Sequence, residues 1–154
     1  VRYLSCGLLA ILALPGCKTL SDADVVNAAY FAGKYSIRYG MERLFRDGND
    51  ERDARLRAQA RLIAQEISNR AIPVLYGFSI SARAIEAVRD YLQRGLAAEG
   101  VDSDLRAVLV RAMESAVSHI EIPASIEGIL TERARKAVIS MLQGIVEGLT
   151  EASR

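Results

Sequence analysis

The stretch Leu105-Arg106-Ala107-Val108-Leu109-Val110-Arg111-Ala112-Met113-Glu114-Ser115-Ala116-Val117 decides the fold class. Its residues Leu105, Val108, Leu109, Ala112, Met113 and Ala116 return every three to four positions, and Ile120 continues the series. That period puts them on one face of an α-helix, whereas a half-buried strand alternates at every second residue. Asp102-Ser103-Asp104 stands directly before it, with side chains that cap a helix start and complement its dipole.

The same period extends in both directions. Downstream, Ser125 with Glu127 and Glu132 nearby predicts a helix start, and Ile126, Ile129, Leu130, Ala134, Val138, Met141, Leu142, Ile145 and Leu149 predict its buried face. Upstream, a helix is expected from about Ser81 to Ala98, with Ile85, Val88, Leu92 and Leu96 inward and Gly100 as its C-terminal cap. Before it, Leu56, Ala60, Ile63 and Ile67 form a narrow seam on a helix from about Asp50 to Arg70, with Arg52, Arg55, Arg57, Arg61 and Arg70 mostly off that seam. The first helix is capped by Ser21 with Asp24 and runs to about Arg46, ending at Asp47-Gly48-Asn49.

That first helix carries three features. Val26, Tyr30, Gly33, Ile37, Met41 and Leu44 form its apolar stripe. Ala29, Gly33, Ser36 and Gly40 form a ridge of small residues that lets another helix approach closely, within the chain or from a second copy in a homo-oligomer. Phe31, Tyr35 and Tyr39 follow at fourfold spacing on a neighbouring face. The simpler expectation is that other helices bury both faces. The alternative makes the aromatic face a contact for lipid headgroups or a partner helix.

No segment sustains apolar/polar alternation; only Ile72 to Ile80 resembles a strand, and Pro73 with Gly77 predicts a structured loop there instead. The expected fold is therefore all-α, an up-and-down bundle of about five helices. Shifted by fifty residues, the chain aligns with itself: Ile72-Pro73 meets Ile122-Pro123, Arg83-Ala84 meets Arg133-Ala134, Ala87-Val88 meets Ala137-Val138, and Leu92-Gln93 meets Leu142-Gln143. The reading is two duplicated helix hairpins, about 52–98 and 102–150, each with an Ile-Pro turn that stops its first helix, plus an N-terminal tether helix.

Composition narrows the chemistry. From Cys17 onward the chain has 19 Lys and Arg against 19 Asp and Glu, so nothing draws it to a nucleic-acid backbone. Residues 34–70 carry nine positive and six negative groups; the simpler expectation is a solvated helix face, and the alternative is a local excess that favours anionic lipid headgroups. Both cysteines, Cys6 and Cys17, lie in the first seventeen residues, so the helical part has neither a disulfide nor a thiolate metal site. His119 is the single histidine and is expected to be a polar residue at a helix end; Glu114 and Glu121 beside it are ordinary surface carboxylates. There is no phosphate-cradling glycine loop and no dinucleotide fingerprint. The reading is a non-enzyme without catalytic residues, cofactor or metal.

The first seventeen residues read as a leader. Val1-Arg2 is a minimal basic start, Tyr3 to Leu14 is apolar apart from Ser5 and Gly7, and Leu14-Pro15-Gly16-Cys17 closes it. Secretory signals have an apolar core of roughly 7–15 residues, and a membrane span needs about 20. Leu14-Pro15-Gly16-Cys17 resembles the lipobox of prokaryotic membrane lipoproteins, a Leu-x-[Gly/Ala/Ser]-Cys pattern after an apolar core. The resemblance implies that Leu14 and Gly16 belong to the cleavage motif and that Cys17 is the lipid-bearing residue, acylated and anchored in membrane lipid. The thin basic region and the Val at position 1 depart from the pattern. Lys18, where Asp would favour inner-membrane retention, is compatible with the outer membrane.

The expected organisation is a signal peptide at 1–16, a lipidated tether at 17–24 and one helical domain at 25–154. The expected function is a lipid-anchored, periplasm-facing envelope protein acting as a helical scaffold or interaction module for a protein partner. Two other readings fit the same residues: a phage-encoded lipoprotein or virion accessory protein acting at the host envelope, and a membrane-active helical protein that retains its apolar leader.

Overall fold

The computed structural model describes residues 21–77, 81–120, 122 and 128–154, and the readings placed on Leu14, Gly16 and Cys17 lie outside them. Among the described residues the fold is an all-α bundle of five helices. Helix α1 is Asp22–Leu44, followed by a single 3-10 turn, Phe45–Asp47. Helix α2 covers 50–77 and α3 covers 82–98. Helix α4 is Ser103–Val117 and α5 is Glu132–Ala152. Among the described residues the one β-type pairing is an isolated antiparallel bridge between Ser81 and Ile129, joining the lead-ins of α3 and α5.

The capping chemistry is local. The Ser21 hydroxyl accepts from the Asp24 amide while the Asp24 carboxylate accepts from the Ser21 amide at 3.0 Å, closing the expected capping box. Asp22 and Asp24 therefore belong to α1, and the tether assigned to 17–24 extends into the helix. Asn49, Asp102 and Thr131 cap α2, α4 and α5 through their side chains.

Helix α5 lies at the centre. Ala134, Ala137, Val138, Ile139, Met141, Leu142, Ile145 and Leu149 are all buried, a face wider than a single stripe, while Lys136, Gln143 and Thr150 leave one side exposed. A buried face that wide needs more than one neighbouring helix. Here α1, α2 and α4 pack against it. The buried spine of α1 is Val25, Ala29, Gly33, Ile37 and Met41, facing α5 and α4. Asp22 pairs with Arg133 at 3.3 Å, and further along Lys34 pairs with Glu147 at 2.7 Å, so α1 and α5 run in the same direction. The helix expected as an N-terminal tether is thus half of the central pair. Ala29 and Gly33 of its small-residue ridge are buried within the chain, and a Cβ on Gly33 would sit 2.7 Å from the Met141 carbonyl oxygen. The closest approach is at Gly144, where a Cβ would lie 2.1 Å from the Tyr30 carbonyl oxygen.

Two sequence expectations are corrected. The segment beginning at Ile72 is not a loop through Gly77: Ile72–Gly77 is helical and continues α2 past Pro73. A wide turn, Ile67–Ala71, precedes it, and the Ile72 amide reaches back to the Ile67 carbonyl. Proline lacks an amide hydrogen and its ring crowds the carbonyl four residues earlier, and a widened turn accommodates both without ending the helix. Ile72-Pro73 is therefore not the turn of a hairpin. The second correction is the start of α5, which is Glu132 under a Thr131 cap and not Ser125. Ser125, Ile126 and Glu127 lie outside the described residues, and Ile129, expected in the core, is exposed. The other predicted faces of α2, α3 and α4 are inward as expected, with Val88 half-buried at the edge.

Candidate interaction surface

The buried spine of α1 determines what its other side presents. Each residue of an α-helix advances about 100°, so four residues overshoot one turn by about 40°. Phe31, Tyr35, Tyr39 and Arg43 form one such row, opposite Gly33 at its start and winding toward α4 at its end. Phe31, Tyr35 and Tyr39 are 47%, 55% and 60% exposed, so the expectation that both faces of this helix are covered by other helices fails for the described structure. The physical reason is that α4 and α5 together cover only the spine side, and no third described helix crosses the crest.

The row is ordered by its own contacts. The rings of Phe31 and Tyr35 stack with centroids 5.8 Å apart, and Tyr30 meets Phe31 edge-on at 5.1 Å. The Arg43 guanidinium lies 5.9 Å from the centroid of the Tyr39 ring. Such contacts hold large side chains in place with little mobility to lose on binding, a property of aromatic anchors at interfaces. Between the row members, Arg38 is neutralised by Glu42 at 3.1 Å.

A second cluster lies on the flank of the same helix. Lys34 reaches Glu147 at 2.7 Å and Glu151 at 2.8 Å, and the Tyr30 hydroxyl donates to the other oxygen of Glu147. The hydrogen bond to Glu147, then that to Glu151, holds the Lys34 ammonium above the usual lysine range. Hydrogen bonds from Lys34 first and Tyr30 second hold the Glu147 carboxyl below the usual carboxylate range. A nucleophilic lysine needs the opposite shift, a lowered pKa that frees its lone pair. This cluster is a fastening between α1 and α5.

The remaining sequence candidates stay apart. His119 is exposed just past α4, Glu114 is bound by Arg89 at 2.8 Å, and Glu121 lies outside the described residues. Among the described residues no group of three His, Cys, Asp or Glu side chains is placed to hold a metal ion, and no helix is long and apolar enough to cross a membrane. Sequence reasoning missed the Tyr30–Lys34–Glu147 cluster, which joins residues more than a hundred positions apart. It also stopped the aromatic row at Tyr39, although the same fourfold step leads on to Arg43. No protein-family model, curated protein or solved structure matches the chain.

Proposed function

We propose that this protein is a non-enzymatic, lipid-anchored component of the bacterial cell envelope, tethered through Cys17, whose helical bundle serves as a scaffold with its contact face on α1. The observation that carries this reading is the ordered, exposed row Phe31–Tyr35–Tyr39 on the first helix after the lipobox-like Leu14-Pro15-Gly16-Cys17. Single exposed apolar residues are ordinary, but a contiguous row of exposed aromatic rings, two of them stacked, is the pattern of a contact site. The helix that bears it is held rigidly by α4 and α5, which suits a presenting surface.

Two measurements test the reading separately. Mass spectrometry of the membrane-extracted protein is expected to find Cys17 as an acylated N-terminus, and an unmodified Cys17 with the leader attached would reject anchoring. A photo-crosslinking residue at Tyr35 is expected to give adducts in the native envelope that the same residue at the exposed Arg94 of α3 does not. Equal yields at the two positions would reject α1 as the contact face.

A further inference from the structure

The aromatic row does not end on open helix. Tyr39 and Arg43 also form one wall of a groove of about 500 Å³ between α1 and α4, and Arg111 and Ser115 stand on the opposite wall. Three charged residues line it: Arg43, Arg111 and Asp104. Asp104 is taken by the Arg52 guanidinium of α2 at 2.5 Å. Arg43 is held over Tyr39, and neither Arg43 nor Arg111 has an ion pair among the described residues. The groove therefore presents two guanidinium groups and no free carboxylate, and the group that complements it is an anion able to accept from both.

We propose that this surface seats the phosphate of anionic phospholipid headgroups, so that α1 lies along the membrane with Arg43 and Arg111 on phosphate and Phe31, Tyr35 and Tyr39 at the level of the headgroups. Aromatic rings with polar tips favour that interface, and arginines favour its negative surface potential. The shape argues for a lipid surface over an acidic peptide. Phe31 and Tyr35 stand on the convex crest of α1 outside the groove, where a flat interface reaches them and a peptide seated in the groove does not. From Phe31 to Arg43 the row spans about 18 Å along the helix, so several headgroups meet it at once. The inference rests on the reading of α1 as the contact face, and it does not depend on acylation of Cys17.

The test uses the full-length chain carrying Cys17→Ser, which removes the anchor and leaves the surface intact. Its binding is measured by co-sedimentation with vesicles of phosphatidylcholine alone and of phosphatidylcholine mixed with phosphatidylglycerol. Tighter binding to the anionic vesicles, weakening with salt, is expected. Arg43→Gln with Arg111→Gln is expected to lower that binding roughly thirtyfold, from the approximately fivefold that each basic residue contributes near an anionic surface. Phe31→Ser with Tyr35→Ser is expected to weaken binding to both kinds of vesicle. These side chains are exposed, and unchanged circular dichroism checks that each variant is folded. The apolar leader contributes equally to all variants, so equal binding by the arginine variant and the parent would overturn the proposal. Binding of polyglutamate that competes with the vesicles and is lost in the same arginine variant would overturn it in favour of an acidic protein partner. Either failure leaves the mass-spectrometric result on Cys17, and hence the anchoring reading, where it stood.

Discussion

Gly144 has a backbone oxygen where any other residue would have a side chain, since a Cβ there would stand 2.1 Å from the Tyr30 carbonyl. Neither partner is a flexible side-chain end, so Gly144→Ala must separate α1 from α5. The expected loss is about 1–3 kcal/mol, read as a lower urea midpoint at an unchanged slope. Next to it, Glu147 sets a pH dependence. Its carboxyl is held below the usual range by Lys34 and Tyr30, so its contribution is complete above the unfolded value of about 4.3 and is lost as pH falls through the depressed folded value. Lys34 has the opposite sign: its raised value gives stability that is present below about 10.4 and lost as pH rises through the folded value. Urea midpoints are therefore expected to fall as the solution is acidified from about pH 6 to about pH 3. Glu147→Gln is expected to flatten part of that fall. The effect is modest because Glu147 is nearly half-exposed and water screens it.

At the scale of elements, α5 is fastened at both ends. The Thr131 hydroxyl accepts from the Ala134 amide at 3.2 Å, and the Arg61 guanidinium of α2 donates to the Ser153 carbonyl at its C-terminal end. Thr131→Ala is expected to destabilise the fold by about 1 kcal/mol, with Thr131→Asn restoring most of the loss in thermal unfolding. The start of this helix was the boundary hardest to read, because Ser125 with Glu127 offers a capping pattern as good as that of Thr131 with Glu132. The observed starts of α3 and α5, Ala82 and Glu132, lie fifty positions apart. The inward faces of α2 and α4 were legible because helical spacing alone sets which residues share a face. The continuation of α2 past Pro73 was not, since it depends on a wide turn that no local residue pattern announces. The spacing of Phe31, Tyr35 and Tyr39 was equally plain, while their exposure depended on which sides of α1 the distant α4 and α5 would take.

For the whole molecule, the central pair joins the first described helix to the last. Deleting residues 132–154 is expected to leave α1 without its main partner and expose Ile37 and Met41, which are fully buried in the intact fold. Such a truncated chain is expected to lose cooperative unfolding altogether, measured by circular dichroism against urea, and not merely the signal of one helix. In the intact protein, amide exchange is expected to be slowest in α1, α4 and α5 and faster in α3, which buries only Ala82, Ile85, Leu92 and Leu96. The pairing of α1 with α5 also sets an order of events. A ribosome delivers the chain N-terminus first, so α1 emerges long before the residues it must meet. More than a hundred residues separate Tyr30 from Glu147, and closing so long a loop comes late in folding. Until α5 is made, α1 has an unsatisfied apolar side as well as its aromatic crest. Of the five described helices, the one made first is the one whose packing is finished last.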